Sequence, residues 1–533
     1  MSRRAVFIPL FLATIAAGLA LRWPQLDLRP MHGDEAVHAY KLNELWKSGT
    51  YRYDPEEYHG PTLYFLTLPS LWLSGASDWR QTTAANYRIV PVLCGVGMVI
   101  LLVLLTDGLG RSAVVVAGGL SALSPASVFY SRYYIQETLL VCFTLLLIAA
   151  AWRYVQTRRL RWALLAGAAV GLMHATKETC VIALAALAAA GVATWWWHRR
   201  HKPAGSRPRV HVAPLIGAAV AAVLVSSALL STGFTNLAGP VDSLRAYATY
   251  FTRAGGGIHT HPWYYYLQLL LYSHTPAGPV WSEALIFALG FVGIVAAFAN
   301  TARRHSGRAT YDPRLARFLA IYTILLTLTY SAIPYKTPWC TLGFLHGWIL
   351  LAGIGTISLL DWASAGFARL ATVMAILAVA TPHLGVQSWR ASHSRVFCAD
   401  PRNPYVYAHP VGDVVKLERY LTRLTDAAPA DNQTIIKVYS PNPWPLPWYL
   451  RSFDHVGYWE NVPDAPEADA DVVLVSTTLR SAFDASRRAD YQCTTYGLRR
   501  DEILDVCIQQ PLWNAFIERA ESANTSVTPA VSP

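Results

Sequence analysis

The residues best placed to do chemistry stand near the start of the chain, in the run His32-Gly33-Asp34-Glu35-Ala36-Val37-His38. The same stretch continues through Tyr51-Arg52-Tyr53-Asp54-Pro55 to Tyr58-His59-Gly60-Pro61. Adjacent carboxylates beside histidines are proton acceptors, the groups a general base is drawn from. The structural alternative is an ordinary solvated loop in which Asp34 caps a helix over 35–46, worth about 1 kcal/mol. The two readings are compatible, since a cap also fixes a catalytic carboxylate in place. Further ionisable groups stand at the ends of apolar runs: Arg132 and Glu137 in Ser-Arg-Tyr-Tyr-Ile-Gln-Glu, Lys177 and Glu178 in His-Ala-Thr-Lys-Glu-Thr, and Lys336 in Ile-Pro-Tyr-Lys-Thr-Pro-Trp. Taken singly, each is a basic side chain snorkelling to the headgroup level. Taken together, they supply cations for a phosphate leaving group, where charge develops as a bond breaks. A base, an acceptor hydroxyl and a lipid phosphate make one reaction: sugar transfer from a polyprenyl-phosphate carrier.

The elements that must hold these groups lie in a bilayer. The chain has 533 residues, 53% hydrophobic and 14% charged, against about 25% charged in an ordinary soluble domain. That excludes a disordered chain and a simple cytosolic enzyme. The formal charge of +11 arises from basic residues bunched between apolar runs, which argues for membrane orientation rather than a nucleic-acid surface. About eleven spans are predicted, each near the roughly 20 residues a crossing needs, at 5–22, 86–106, 113–131, 135–152, 161–176, 179–197, 212–231, 281–299, 316–333, 341–359 and 369–386. The short apolar piece 62–73 is flanked and interrupted by proline and is expected to be interfacial or re-entrant.

With the N-terminus cytoplasmic, Arg111, the cluster at 153–161, the cluster at 199–209 and the cluster at 303–317 all fall on the cytoplasmic side, as the positive-inside bias requires. Residues 1–22 also fit a signal peptide; either way the loop 23–85 faces outward. A second outward loop, 232–280, carries Gly255-Gly256-Gly257, His259, His261 and Trp263-Tyr264-Tyr265-Tyr266. Trp and Tyr suit an interfacial belt, and glycines beside histidines suit a movable cover over a site. The membrane domain is expected over 1–386 and an extracytoplasmic α/β domain over 387–520. Its helices are predicted at 412–427 and 478–490 and its strands at 434–439 and 471–476. A disordered tail is expected from 521 to 533. In the outer domain Asn442-Pro443-Trp444-Pro445-Leu446-Pro447-Trp448-Tyr449 offers stiffly held indoles that either stack on sugar or pack against protein.

Seven cysteines are too few for a disulfide scaffold. Cys94, Cys142, Cys180 and Cys340 read as small hydrophobes, while Cys493 and Cys507 share the outer domain, where a bridge is permitted. No CxxC or His-rich metal signature is present. Asp34 and His38, one helical turn apart, could ligate a divalent ion. Sequons at Asn432 and Asn524 are short enough to arise by chance.

The acidic pair Asp34-Glu35 after the first span, with Ser131-Arg132-Tyr133 and Glu137, resembles the GT-C superfamily of integral-membrane glycosyltransferases, which includes protein O-mannosyltransferases and lipid A aminoarabinose transferases. More narrowly, His32-Gly33-Asp34-Glu35 with His38, Tyr58-His59-Gly60-Pro61, Lys177-Glu178-Thr179 and Pro334-Tyr335-Lys336-Thr337-Pro338-Trp339 resemble the Agl23-type, flippase-activity-associated family. The likeness runs over most of 5–460. It implies a polytopic helical fold, an outward active site, a lipid-linked sugar donor and inversion at the anomeric carbon. By that likeness Asp34 is the base and Glu35 its partner, orienting acceptor or holding a metal, and Arg132, Lys177 and Lys336 bind the donor phosphate. His38, His59, Glu137, Glu178, His259, His261, Trp444 and Trp448 are further pocket candidates. No nucleotide-sugar DxD motif stands in this loop. The implied partners are the polyprenyl-phosphate sugar donor, membrane lipids and a protein, lipid or polysaccharide acceptor, with no nucleic acid. The rival readings are a transporter or flippase-associated factor, or a silent assembly partner; a transporter would show broken spans with midplane charges, and here the charges gather at span ends.

Overall fold

The computed structural model describes residues 3–56, 59–200, 212–253, 257, 259–299, 310–363, 366–427, 433–463 and 470–525. Tyr58, Gly255 and Gly256, Asn432 and the basic residues at 201–209 and 303–308 lie outside them. Two compact units emerge. One comprises Met1–Leu28, Glu44–Gly75 and Thr83–Tyr407, and the other Arg29–Asn43, Ala76–Thr82 and Ala408–Pro533.

The first unit is helical. Among the described residues eight helices are long and apolar enough to cross a membrane: Ala5–Arg22, Ala84–Leu109, Glu137–Thr157, Cys180–Arg200, Val212–Leu230, Pro313–Ala332, Pro338–Trp362 and Gly366–His393. The chain is an integral multi-pass membrane protein. Three of the expected spans are shorter helices, Arg111–Leu123, Leu160–His174 and Ala284–Phe298. The local chemistry explains the first. Ser124 ends the helix and caps the next, its hydroxyl accepting from the Ser127 amide, and Pro125 stands at the first turn of Pro125–Tyr130. A single apolar run in sequence is thus two helices in space.

Short helices are held by close packing. A Cβ on Gly355 would lie 1.9 Å from the Leu289 carbonyl oxygen, and one on Gly293 would lie 2.0 Å from that of Leu351. Thr341–Trp362 and Ala284–Phe298 therefore meet backbone to backbone, the contact small residues permit in lipid. The apolar piece at 62–73 forms the helix Thr62–Ser74, at 13 residues too short for an ordinary crossing. The unit also extends beyond the expected boundary at 386. Tyr405 donates to the buried Glu283 carboxylate at 3.1 Å, which ties residues 387–407 to the helices.

The second unit is a mixed α/β fold around a five-stranded sheet. Its strands are β1 (Ile435–Tyr439), β2 (His455–Trp459), β3 (Val472–Ser476), β4 (Tyr491–Arg499) and β5 (Glu502–Gln509), in the order β2-β1-β3-β5-β4. β1 runs parallel to β2 and β3, whereas β5 is antiparallel to β3 and β4. β3 is buried throughout and reads Val-Val-Leu-Val-Ser, as a central strand covered on both faces should. The Asp413–Ala427 helix buries Val414, Leu417, Leu421 and Leu424, an i, i+3, i+4 stripe. The helix expected at 478–490 is the shorter Arg480–Ser486. Cys493 and Cys507 face each other across β4 and β5 and form a disulfide. The tail expected from 521 is still helical there, because Gln510–Thr525 continues to Thr525.

Candidate active site

The helix that carries the acidic pair begins at Gly33, not after Asp34, and runs to Ser48. His32 takes the capping position. Its Nδ1 accepts from the Asp34 amide at 3.0 Å, and the Glu35 carboxylate reaches back to accept from the His32 amide at 3.0 Å. The Glu35 bond is the return half of a capping box, and the histidine ring caps the amide of the second helical residue. Glu35 is fully buried and also meets Arg29 at 3.4 Å. It therefore helps hold the helix start together, its carboxylate engaged by Arg29 and the His32 amide. Asp34, one residue earlier, leaves the cap to His32. Its side chain is 47% exposed, and it sits where the helix dipole favours an anion.

Around this turn the same unit packs the Trp444–Tyr449 segment. A Cβ on Gly33 would lie 3.7 Å from the Trp444 Cβ, and the Tyr449 hydroxyl accepts from the Met31 amide at 2.8 Å. Trp444 is half-buried and edge-on to Tyr40, with ring centres 6.1 Å apart. Trp448 is buried beneath the Arg451 guanidinium, 3.8 Å from its ring centre. Of the two indoles, Trp448 is the more deeply buried. His38 is buried, and among the described residues no group of three or more His, Cys, Asp or Glu is arranged to hold a metal.

In the membrane unit two distant motifs meet. His59 Nδ1 lies 2.8 Å from Glu178 Oε2, and the Tyr53 hydroxyl donates to Glu178 Oε1 at 2.5 Å. The strand of chain leading there is pinned on both sides: the Tyr51 hydroxyl donates to the His59 carbonyl at 2.7 Å, and Thr62 Oγ1 donates to the Ala175 carbonyl at 2.7 Å. Burial alone would push the Glu178 carboxyl up; the His59 ring, the Tyr53 hydroxyl and its own amide outweigh this and hold it down at about 2. Lys177 turns the other way and pairs with Glu137, at the start of the Glu137–Thr157 helix. Burial would draw the Lys177 ammonium down, but the facing Glu137 carboxylate leaves it net raised. Beside Glu137 a cavity of about 30 Å³, enough for a water, is lined by Thr179, Tyr330, Trp339 and Cys340. The Pro338–Cys340 turn of the Lys336 motif thus abuts the Glu137 end of the pair.

Lys336 itself belongs to a second cluster. Residues 260 and 335 form an antiparallel bridge, the Lys336 amide donates to the His259 carbonyl at 2.9 Å, and the Lys336 ammonium donates to the Ile333 carbonyl. His259 Nδ1 is 2.5 Å from the Tyr407 hydroxyl, and His261 stacks on Tyr265 at 4.1 Å. Burial lowers the Lys336 ammonium and, with the charges of His259 and Lys336, the His261 imidazole. Arg132 has another task. Its guanidinium donates to the carbonyls of Arg22, Pro24 and Gln25 at 2.9, 2.6 and 2.9 Å. It clamps the end of the first helix through these three carbonyls.

Residues 63–231 match the family model described as dolichyl-phosphate-mannose-protein mannosyltransferase. The structure is similar to that of ArnT from Cupriavidus metallidurans bound to undecaprenyl phosphate, with a TM-score of 0.58 at 16% identity over 94% of this chain and 98% of that one. It is also similar to the oligosaccharyltransferase AglB from Archaeoglobus fulgidus in complex with an inhibitory peptide and a dolichol-phosphate, with a TM-score of 0.52 at 12% identity over 96% of this chain and 77% of that one. The chain has a GT-C fold. No curated protein matches the sequence, so the Agl23-type likeness rests on its motifs.

Three participants in this GT-C arrangement escaped the sequence reading. Tyr53 stood inside the quoted run Tyr51-Arg52-Tyr53 but carried no spacing signal toward Glu178. Arg29, the partner of Glu35, was readable as the nearest basic residue ahead of the pair. Tyr407, the partner of His259, lies 148 positions away, and nothing local marks it.

Proposed function

We propose that the chain is a membrane glycosyltransferase that moves a sugar from a polyprenyl-phosphate-linked donor to an acceptor hydroxyl on the extracytoplasmic face, with inversion. The acceptor oxygen attacks the anomeric carbon while the bond from that carbon to the phosphate oxygen breaks. The electron pair leaves with the phosphate, and the acceptor proton passes to the Asp34 carboxylate. Lys177 and Lys336 are the cations assigned to the phosphate. Three lines support the reading: the GT-C fold, the lipid phosphates carried by the ArnT and AglB structures, and the gathering of basic clusters in alternate loops, which puts the first loop outside.

The observation that carries it is the contrast within one dipeptide. Glu35 is buried and builds the helix start, and Asp34 beside it is open to a substrate. The test is sugar transfer by the full chain in membrane vesicles supplied with lipid-linked donor. Asp34→Asn should abolish transfer and leave thermal stability within about 0.5 kcal/mol of the parent, as surface changes do. Glu35→Gln should lower stability as well, because its buried partners lose a charge. Transfer by Asp34→Asn at the parent rate would refute the assignment of the base.

A further inference from the structure

Beside the open carboxylate stands a row of three aromatic rings from three separate stretches of the second unit. Tyr40 lies on the same helix as Asp34, Trp79 in the turn Trp79–Gln81, and Trp444 just after β1. Tyr40 is the middle ring, edge-on to Trp444 with 6.1 Å between centres and to Trp79 with 6.0 Å. The row starts at the acid, because the 3.7 Å approach to the Trp444 Cβ is made at Gly33, next to Asp34. The helix buries Glu35, Ala36, Ala39, Leu42 and Asn43, so Asp34 and Tyr40 flank the face that is left. The two indoles are held from behind. The Asp78 carboxylate accepts from the amides of Arg80 and Gln81 at 2.9 and 3.3 Å and fixes the Trp79 turn. Arg499 donates to the Trp444 and Asn442 carbonyls, and prolines at 443 and 445 stiffen the chain between them and β1.

The polar edges of these rings are unpaired. Among the described residues no acceptor meets the Trp79 or Trp444 indole N–H or the Tyr40 hydroxyl. In the membrane unit, by contrast, the indoles of Trp152, Trp281 and Trp348 donate to Asp107, to the Arg402 carbonyl and to Thr327, as rings packed for stability usually do. Trp79 and Trp444 are half-buried and Tyr40 is 39% exposed. Flat apolar faces and unpaired donors thus alternate along one surface, edged by the Asp34 carboxylate at one end and by Arg80, paired with Asp454, at the other. A sugar ring has the matching surfaces, an apolar C–H face and a rim of hydroxyl oxygens that accept from N–H and O–H. An acyl chain lacks the rim, and an extended peptide lacks the stiff face. We infer that the acceptor is a saccharide chain, whose hydroxyl-bearing end unit stacks on Trp444 beside Asp34 and whose following units run over Tyr40 and Trp79. The inference rests on the glycosyltransferase reading and names the acceptor class for it. A single donor sugar would fill one ring; a row of three, spaced near the length of one hexose unit, suits a chain. No bond is made or broken on the row. It orients the acceptor so that its hydroxyl meets the Asp34 carboxylate, which takes the proton as that oxygen attacks.

The test is binding of linear oligosaccharides to the full chain in lipid nanodiscs, without donor, read by saturation-transfer NMR and titration. The probes are glucose, mannose and N-acetylglucosamine oligomers of one to six units, with a Ser/Thr decapeptide as the rival. At least one series should bind, with an affinity that climbs to three units and then levels. Trp444→Ala and Trp79→Ala should each weaken it about tenfold, and Trp444→Phe should recover part of the loss. Tyr40→Ala, at the most exposed of the three rings, carries the comparison where a tryptophan variant does not fold. Trp195→Ala, at an exposed indole of the membrane unit, should stay within about twofold of the parent. Binding by none of the series, binding independent of length, or parental affinity in the Trp444, Trp79 and Tyr40 variants overturns the inference. Peptide binding that the same substitutions weaken overturns it too. Because no transfer is read, each of these outcomes leaves the assignment of Asp34 standing. Saccharide binding as expected, together with unimpaired transfer by Asp34→Asn, would keep the row and remove the base.

Discussion

Gly60 is where the loop bearing His59 lies closest to another backbone, and replacing it by alanine tests the whole junction. An added Cβ would lie 2.1 Å from the Ala175 carbonyl oxygen and 2.5 Å from its carbon. Ordinary contact at about 3.2 Å therefore requires the loop to retreat by roughly 1.1 Å, since the neighbour is backbone and cannot rotate away. Added to the 2.8 Å between His59 and Glu178, that shift gives about 3.9 Å, beyond hydrogen-bonding range. The same retreat loosens the Thr62 amide and hydroxyl, which reach the Ala175 carbonyl at 3.2 and 2.7 Å. One charge-assisted bond at about 1.5–3 kcal/mol and two neutral ones at about 1 each, partly recovered by relaxation, give a loss of roughly 3 kcal/mol. Equilibrium unfolding in mixed micelles, followed by tryptophan fluorescence, measures it. Gly191→Ala is the control, because a Cβ there meets nothing within 4 Å in a helix interior, where alanine is favoured by about 0.5–1 kcal/mol. Gly60→Ala within 0.5 kcal/mol of the parent would show that the His59 loop is not seated as described, and the argument for the His59–Glu178 pair would go with it.

Two further outcomes follow from the same neighbourhood. Lys177→Met leaves Glu137 buried without its cation and should cost about 3–5 kcal/mol, while the double variant with Glu137→Met should recover most of it, a comparison read from four unfolding curves. The Glu178 carboxyl, held at about 2 in the fold against an ordinary 4.5, binds its proton more readily when unfolded. Its contribution is thus fully present above pH 4.5 and is lost as the pH falls toward 2. The stability gap between wild type and Glu178→Gln should be constant from pH 5 to 6 and close between pH 4.5 and 2; a gap that persists at pH 2 would assign it to packing.

Most of the membrane spans were legible because length and hydropathy are properties of the chain alone: among the described residues eight of the eleven expected spans coincide with helices long and apolar enough to cross, and three with shorter apolar helices. Their ends were not. Ser124-Pro125 divides an apolar run only because the serine hydroxyl finds the Ser127 amide, and proline inside Thr62–Ser74 divides nothing. β1 and β3 announced themselves as runs of aliphatic residues. β4, with Gln492, Thr494 and Thr495 on an edge strand, reads as polar loop until β5 pairs with it. At the site, residue types and order were legible and partners were not: His59 and Glu178 are 119 positions apart, Lys177 and Glu137 are 40 apart. One signal was available. Histidine at 32 followed by glutamate at 35 is the spacing of a capping box, and it would have separated the structural Glu35 from the open Asp34.

The chemistry-bearing dipeptides share a logic that explains why their members are adjacent. Lys177 and Glu178 have opposite charges and could pair with each other, yet each reaches a different segment: the ammonium goes to the start of Glu137–Thr157 and the carboxylate to the loop of Tyr53 and His59. Successive side chains in a turn diverge, so one short stretch can fasten two segments at once, and each buried charge meets a partner fixed by another element. That makes the order of the two residues as constraining as their presence, since exchanging them would set carboxylate against Glu137 and ammonium against His59. Asp34 and Glu35 divide their work in the same way along a helix start, about 100° apart around the axis. One faces inward to Arg29 and the His32 amide, and the other is left outward. With the cap at His32, Glu35 falls at the third helical position, from which its carboxylate reaches back to the His32 amide, and Asp34 is the carboxylate left exposed.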